Sequence, residues 1–153
     1  NTDRLMTFNL PMLVALSALM PEASQLVGKP LPVQAARLYF ERLPPTRIEA
    51  ADHIQWLIDT PNRLTQYQEL ARSLNRTLRL NLELDVGLHR GGFETGADLD
   101  AVLKEIKTDP NLEFAGFMGY EPQGPCRRLA DISHSAGAGC RSIWKRSHRS
   151  HHA

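Results

Sequence analysis

The chain has 153 residues, 42% hydrophobic and 23% charged, which fits one folded domain with a real core and excludes a disordered or fibrous chain. No stretch reaches the roughly 20 apolar residues that a membrane-spanning helix needs. The net charge of +1 conceals a break: residues 1–123 sum to −4 and residues 124–153 to +5, and the latter hold both cysteines and four of the six histidines.

Strand-like and helix-like patterns alternate along the first part. Asn1 in place of Met reads as a start inside a longer reading frame. Arg4–Phe8 predicts a short strand. Pro11–Met20 predicts a helix with proline in its first turn, where the missing N–H costs nothing. Leu10–Met20 is apolar enough to suggest an export signal. However, Pro11 interrupts it and Pro21-Glu22 follows where a small-x-small site would stand, so a buried helix is the better reading. Gln25–Gly28 predicts a second strand. Val33–Leu43 predicts a helix, with Val33, Ala36, Leu38, Tyr39, Phe40 and Leu43 forming an apolar stripe, and Pro44-Pro45 stops it. His53–Asp59 predicts a third strand. Thr60 caps a helix that has Pro61 at its first position and runs to Leu74. A fourth strand follows at Leu78–Asp85, a helix at Ala97–Lys107 and a last strand at Leu112–Tyr120.

This rhythm has no hairpin signals and predicts right-handed βαβ crossovers and a parallel sheet. About five such units fall short of a closed eight-stranded barrel, which takes about 250 residues. Two α/β architectures remain: a small doubly wound domain, or part of a parallel (β/α) TIM-type barrel.

Residues 80–93, LNLELDVGLHRGGF, concentrate the chemistry. Leu78, Leu80, Leu82 and Leu84 alternate with Arg79, Asn81, Glu83 and Asp85, the period of a strand with two different faces. The strand then runs into Asp85, Gly87, His89 and Arg90, closed by Gly91-Gly92. Function in parallel α/β proteins sits where strands end, so this cluster is the leading candidate site. An arginine between a strand end and two glycines has little use in packing, whereas His89 reads equally as a solvent-facing turn residue. Glu83 and Asn81 read as filling for a polar interior, and Trp56 and Tyr67 as packing. Tyr120 is either a core tyrosine or a site residue.

Four stretches together, QLVGKPLPVQAA (25–36), WLIDTPNRLTQY (56–67), LELDVGLHRGGF (82–93) and FAGFMGYEP (114–122), resemble the pyridoxal-phosphate barrel domain shared by alanine racemase, D-threonine aldolase and D-serine dehydratase. The Asp-x-Gly-x-x-Arg core in register with a Gly-x-Met-x-Tyr strand carries most of the likeness, which covers about residues 2–122. The resemblance implies a partial barrel over residues 1–123 and pyridoxal phosphate as cofactor. It also implies an amino-acid substrate, a cytoplasmic enzyme and a homodimer in the complete protein, with neither nucleic acid nor membrane as partner. The reaction would be racemisation, retro-aldol cleavage or dehydration of D-amino acids.

Residue by residue, the likeness carries the role of cofactor contact to Arg90, facing the phenolic oxygen. It carries lesser cofactor roles to Asp85, which shapes the strand end, and to Tyr120 at the mouth. Lys29 and His89 are substrate-side candidates. The family's Schiff-base lysine belongs to a strand upstream of Asn1, so Lys29 is not that lysine. Gln123 stands where the family has a histidine, and phosphate loops belong to later strands. No catalytic residue and no metal ligand is therefore expected in this chain, which would be a fragment inactive alone. A non-catalytic module binding pyridoxal phosphate or another anion is the alternative.

Residues 124–153 break the βα rhythm. Cys126, His134, Cys140 and His148 lack the paired spacing of a zinc site. Arg127, Arg128, Arg141, Lys145, Arg146 and Arg149 could meet phosphates but sit in no motif. The favoured reading is a basic, irregular tail, produced by an altered frame or a truncated gene model.

Overall fold

A computed structural model describes residues 3–94 and 96–120, so every expectation for residues 124–153, and for Gln123, lies outside the described residues. Five parallel strands, β1 (Arg4–Thr7), β2 (Ser24–Val27), β3 (Ile54–Ile58), β4 (Leu78–Leu84) and β5 (Leu112–Gly119), alternate with four α-helices, α1 (Leu10–Leu19), α2 (Val33–Arg42), α3 (Pro61–Leu74) and α4 (Ala97–Thr108). These match the segments expected from the sequence to within a residue or two at each end. A 3-10 helix over Pro45–His53 was not expected. It starts where Pro44-Pro45 ends α2, because proline is excluded from a helix interior yet suits a first turn.

Local chemistry sets the helix ends. The Asn9 carboxamide accepts the Met12 N–H at 2.9 Å and the Thr60 hydroxyl accepts the Arg63 N–H at 3.2 Å, each satisfying a donor with no partner inside its helix. Asn75 closes α3 in the left-handed conformation, at φ 49°, a role that asparagine fills with little penalty.

The strand order is β1-β2-β3-β4-β5, so each strand pairs with its neighbour in the chain. A doubly wound sheet reverses its order at a switch point and carries helices on both faces. Here no reversal occurs, and residues of all four α-helices join one core with Val27, Trp56, Leu80 and Leu82. The sheet is therefore singly wound, as in a (β/α) barrel, and among the described residues it remains open, with β1 and β5 at its edges.

The alternation of β4 is realised. Its leucines face the helices, while Asn81 and Glu83 lie buried on the other, inner face beside a small apolar cluster of Leu26, Leu57 and Met118. On the helix side Trp56 packs edge-on against Tyr39 at 5.6 Å between ring centres and, tilted, against Tyr67 at 5.8 Å. Fully burying rings of this size stabilises by about 2–3 kcal/mol each. Burial pushes both phenols above their usual range, and each hydroxyl finds a partner: Tyr39 with the Ser17 hydroxyl at 2.8 Å, Tyr67 with the Leu31 carbonyl at 3.1 Å.

One irregularity re-aims the end of the sheet. The β4–β5 register slips between Leu80 and Asn81: Leu80 lies opposite Phe114, but Asn81 lies opposite Gly116. Ala115 is the extra residue, a β-bulge. The slip puts Phe114 and Phe117, three residues apart, on the same face, where their rings meet at 5.0 Å. It also brings Met118 opposite Glu83, so Tyr120, two residues further on, shares the inner face with Glu83 and Asp85. Without the bulge Tyr120 would face the helices. No helix among the described residues is long and apolar enough to cross a membrane.

Candidate functional site

Beyond Leu84 the chain forms a tight loop and returns to the sheet. The Phe93 N–H donates to the Glu83 carbonyl at 2.7 Å and the Asp85 N–H donates to the Phe93 carbonyl at 3.0 Å, so the loop is clamped at its base. Gly92 makes this return possible. Its φ is 106°, and a Cβ there would lie 2.8 Å from the Glu83 carbonyl oxygen and 2.9 Å from the Asp85 nitrogen. A left-handed backbone pressed against another backbone admits no side chain.

Two inner-face carboxylates of β4 hold the two basic residues of this loop. Asp85 stands at the strand end; its Oδ1 accepts the backbone N–H groups of Gly87 at 3.0 Å and His89 at 3.1 Å. Its Oδ2 meets His89 Nδ1 at 2.7 Å. These donors favour the charged carboxylate, the Gly87 N–H most of all, and hold Asp85 below its usual carboxyl range although partial burial opposes them. Glu83, with a side chain only 4% exposed, forms an ion pair with Arg90. The Tyr120 ring covers the same guanidinium, 5.0 Å from its centroid, within cation–π range.

The structure thus joins four of the five candidate residues, Asp85, His89, Arg90 and Tyr120, at one strand end. Tyr120 is 51% exposed, so of its two readings the core one falls. Lys29 lies exposed just past the end of β2, and no described contact ties it to the β4 cluster.

Glu83 is the residue that the sequence undervalued. As expected it fills the interior, but it also binds Arg90 across seven positions of strand and loop. The strand alternation puts Glu83 and Asp85 on one face; the loop path that brings Arg90 back to Glu83 has no local signature. Below Glu83 a polar ladder crosses the inner face. Asn81 Nδ2 donates to Gln55 Oε1 at 2.6 Å, and Gln55 Nε2 donates to the Ser24 hydroxyl at 3.1 Å. This ladder fixes side-chain orientation beneath the site.

The arrangement offers a fixed cation with donor positions to spare, since arginine carries five N–H groups in a rigid fork. Beside it stand an oriented imidazole and an aromatic ring at an open edge. Such a constellation suits a planar, anionic ligand.

These features define a class: a singly wound parallel β/α sheet of the barrel type, with its polar cluster at the carboxyl ends of the strands. The chain belongs to the alanine racemase N-terminal domain family, whose model matches residues 17–134. No curated protein sequence matches it significantly. Among solved structures it is similar to alanine racemase of Clostridium difficile 630 in complex with cycloserine, at 13% identity and a TM-score of 0.67, covering 88% of this chain and 35% of that one. The biosynthetic alanine racemase of Pseudomonas aeruginosa matches at 18% identity and a TM-score of 0.64, over 86% of this chain and 36% of that one. PipY of Synechococcus elongatus PCC7942, solved with pyridoxal phosphate bound, matches at 20% identity and a TM-score of 0.55, over 85% of this chain and 57% of that one. At these identities the likeness is one of fold. The chain spans 35% and 36% of the two alanine racemases it is compared with.

Proposed function

We propose that this chain is part of the pyridoxal-phosphate barrel of a cytoplasmic enzyme that acts on D-amino acids, by racemisation, retro-aldol cleavage or dehydration. The observation that carries this reading is the braced arginine. Arg90 sits at a strand end with its guanidinium fixed by Glu83 and Tyr120, and a held guanidinium fits the phenolic oxygen of the cofactor. When bound, the cofactor would supply the electron sink for chemistry at Cα. The chain's own residues bind and orient. Arg90 binds the phenolic oxygen, Glu83 keeps Arg90 aimed, Tyr120 covers it, Asp85 shapes the strand end, and Lys29 and His89 face the substrate. The barrel part is taken to end near residue 123, with 124–153 a separate basic tail. Limited trypsin digestion is expected to cut at Arg127 or Arg128 before any site within 4–107.

A second reading is a module that carries pyridoxal phosphate without turnover. It draws on the larger share of PipY that the chain covers, 57% against 35% for the first racemase. Both readings require the cofactor. Titration of the chain with pyridoxal phosphate, followed by quenching of tryptophan fluorescence, is expected to saturate, and R90Q is expected to weaken binding about tenfold. No saturable binding would reject the module that binds the cofactor by itself, and binding indifferent to R90Q would reject both.

A further inference from the structure

His89 and Asp85 form a unit that binding of a cofactor by Arg90 does not require. His89 adopts φ 54°, and the only other described non-glycine residue with positive φ, Asn75, does so to close a helix. His89 closes no helix. Its backbone N–H and its ring are both tied to Asp85, at 3.1 and 2.7 Å, while the side chain stays 64% exposed and that of Asp85 only 10%. A carboxylate can only accept, so ring Nδ1 carries a proton and donates it, and in the neutral imidazole Nε2 is left with a free lone pair. A buried acid that fixes a tautomer and steadies an imidazolium is the arrangement by which proteins turn histidine into a proton acceptor. It stands next in sequence to Arg90, whose own carboxylate, Glu83, lies two residues before Asp85 on the same face of β4.

We propose that His89 Nε2 is a proton acceptor for an N–H or O–H group of the amino-acid ligand, with Asp85 as its positioning residue. This rests on the pyridoxal-phosphate reading for the identity of the ligand, and on the Asp85–His89 contact for the acceptor itself. If the proton transfers, Nε2 gains it, the ligand keeps the electron pair, and the imidazolium faces the Asp85 carboxylate. No other reactant is consumed.

Two variants isolate the unit without disturbing the turn. Asn tolerates the left-handed backbone of position 89, so H89N removes the imidazole and keeps the loop. D85N keeps an oxygen for the two backbone donors but presents an N–H₂ to the ring, which then has to accept through Nδ1 and carry its proton on Nε2. The first measurement needs no ligand: imidazole ¹⁵N spectra of the full chain at pH 8, above the ordinary titration range of histidine, with His89 assigned by its loss in H89N. The wild-type chain is expected to show the Nδ1–H tautomer and D85N the Nε2–H tautomer. A mixture of tautomers unchanged by D85N would overturn the proposal.

The second measurement titrates the full chain with pyridoxal phosphate, phosphopyridoxyl-D-alanine and phosphopyridoxyl-D-threonine. H89N is expected to leave pyridoxal phosphate binding unchanged and to weaken one or both adducts about tenfold. Weakening of both identifies the amine N–H as the donor, and weakening of the threonine adduct alone identifies the side-chain hydroxyl. R90Q is expected to weaken all three ligands. If all three bind and respond to R90Q but not to H89N, the acceptor role of His89 falls and the cofactor reading stands. If none binds, the role of His89 toward an amino-acid ligand falls, and with it the reading of this chain as a module that binds pyridoxal phosphate by itself.

Discussion

The segments that follow two strands of this sheet combine glycine with basic residues, and they differ in what stands behind them. At the end of β2, Gly28 abuts the side chains of Met6 and Phe8, both nearly half exposed at the edge strand, and Lys29 projects outward. At the end of β4, Gly92 presses on backbone, and two inner-face carboxylates, the buried Glu83 and the partly buried Asp85, each hold one basic residue of the loop. The same residue types thus give a soft edge in one place and a braced constellation in the other. A site depends on partners that fix the charged groups more than on the charges themselves.

The contrast breaks most readily at glycine. G92A is expected to destabilise the chain by about 3 kcal/mol, because a Cβ meets backbone and the positive φ is strained. G91A, where a Cβ would meet nothing within 4 Å, should stay within about 0.5 kcal/mol of wild type. Denaturant midpoints of the two variants compare them directly, and equal losses would contradict the backbone contact. Next comes the ion pair. R90M strands the buried Glu83 carboxylate and is expected to cost about 2–3 kcal/mol. That is less than a fully enclosed pair would cost, because Arg90 remains about a third exposed. E83Q, which keeps an acceptor, should cost about 1 kcal/mol.

Acid sharpens the comparison further. Asp85 has its folded-state pKa held below the unfolded value, so the stabilisation it provides is complete above the ordinary carboxyl range near about 4. It fades as pH falls through the lower folded value. The stability gap between wild type and D85N should therefore narrow from pH 6 toward pH 2. A gap constant across that range would remove the charge from the account. At the end of β2 the expected effects are small. K29A should change stability by less than about 0.5 kcal/mol, and G28A by about 1 kcal/mol, since flexible side chains can yield where backbone cannot.

Much of the fold was legible in advance because it rests on periods and caps that are local. The leucine alternation of β4, the Thr60-Pro61 start of α3 and the Pro44-Pro45 stop each act within a few residues. Periodicity left the choice between barrel and doubly wound sheet open, because strand order is a matter of which non-local edges pair. The site was legible in part. Arg90 and its glycines stand out by their position, whereas the link to Glu83 depends on a loop path. The Ala115 bulge, which turns Tyr120 toward Arg90, was hidden as well: FAGFMG reads as unbroken strand, and only pairing with β4 reveals the extra residue. Pro45–His53 lacked a clear stripe, and its short 3-10 turns hold few signals to find.

The strand order also bears on how the chain comes to be folded. Paired strands lie close in sequence, from 20 residues apart between Arg4 and Ser24 to 35 between Asn81 and Gly116. Each pairing therefore closes only a modest loop, and the entropy of closure rises slowly over such lengths. Every pairing joins neighbours in the chain, so the sheet can grow one strand at a time. During synthesis every new strand emerges to find its template already laid down, with the preceding helix ready to cover one face. The loop that carries Asp85, His89 and Arg90 is clamped to β4 itself, and so it can set as soon as Phe93 has left the ribosome, before β5 is made.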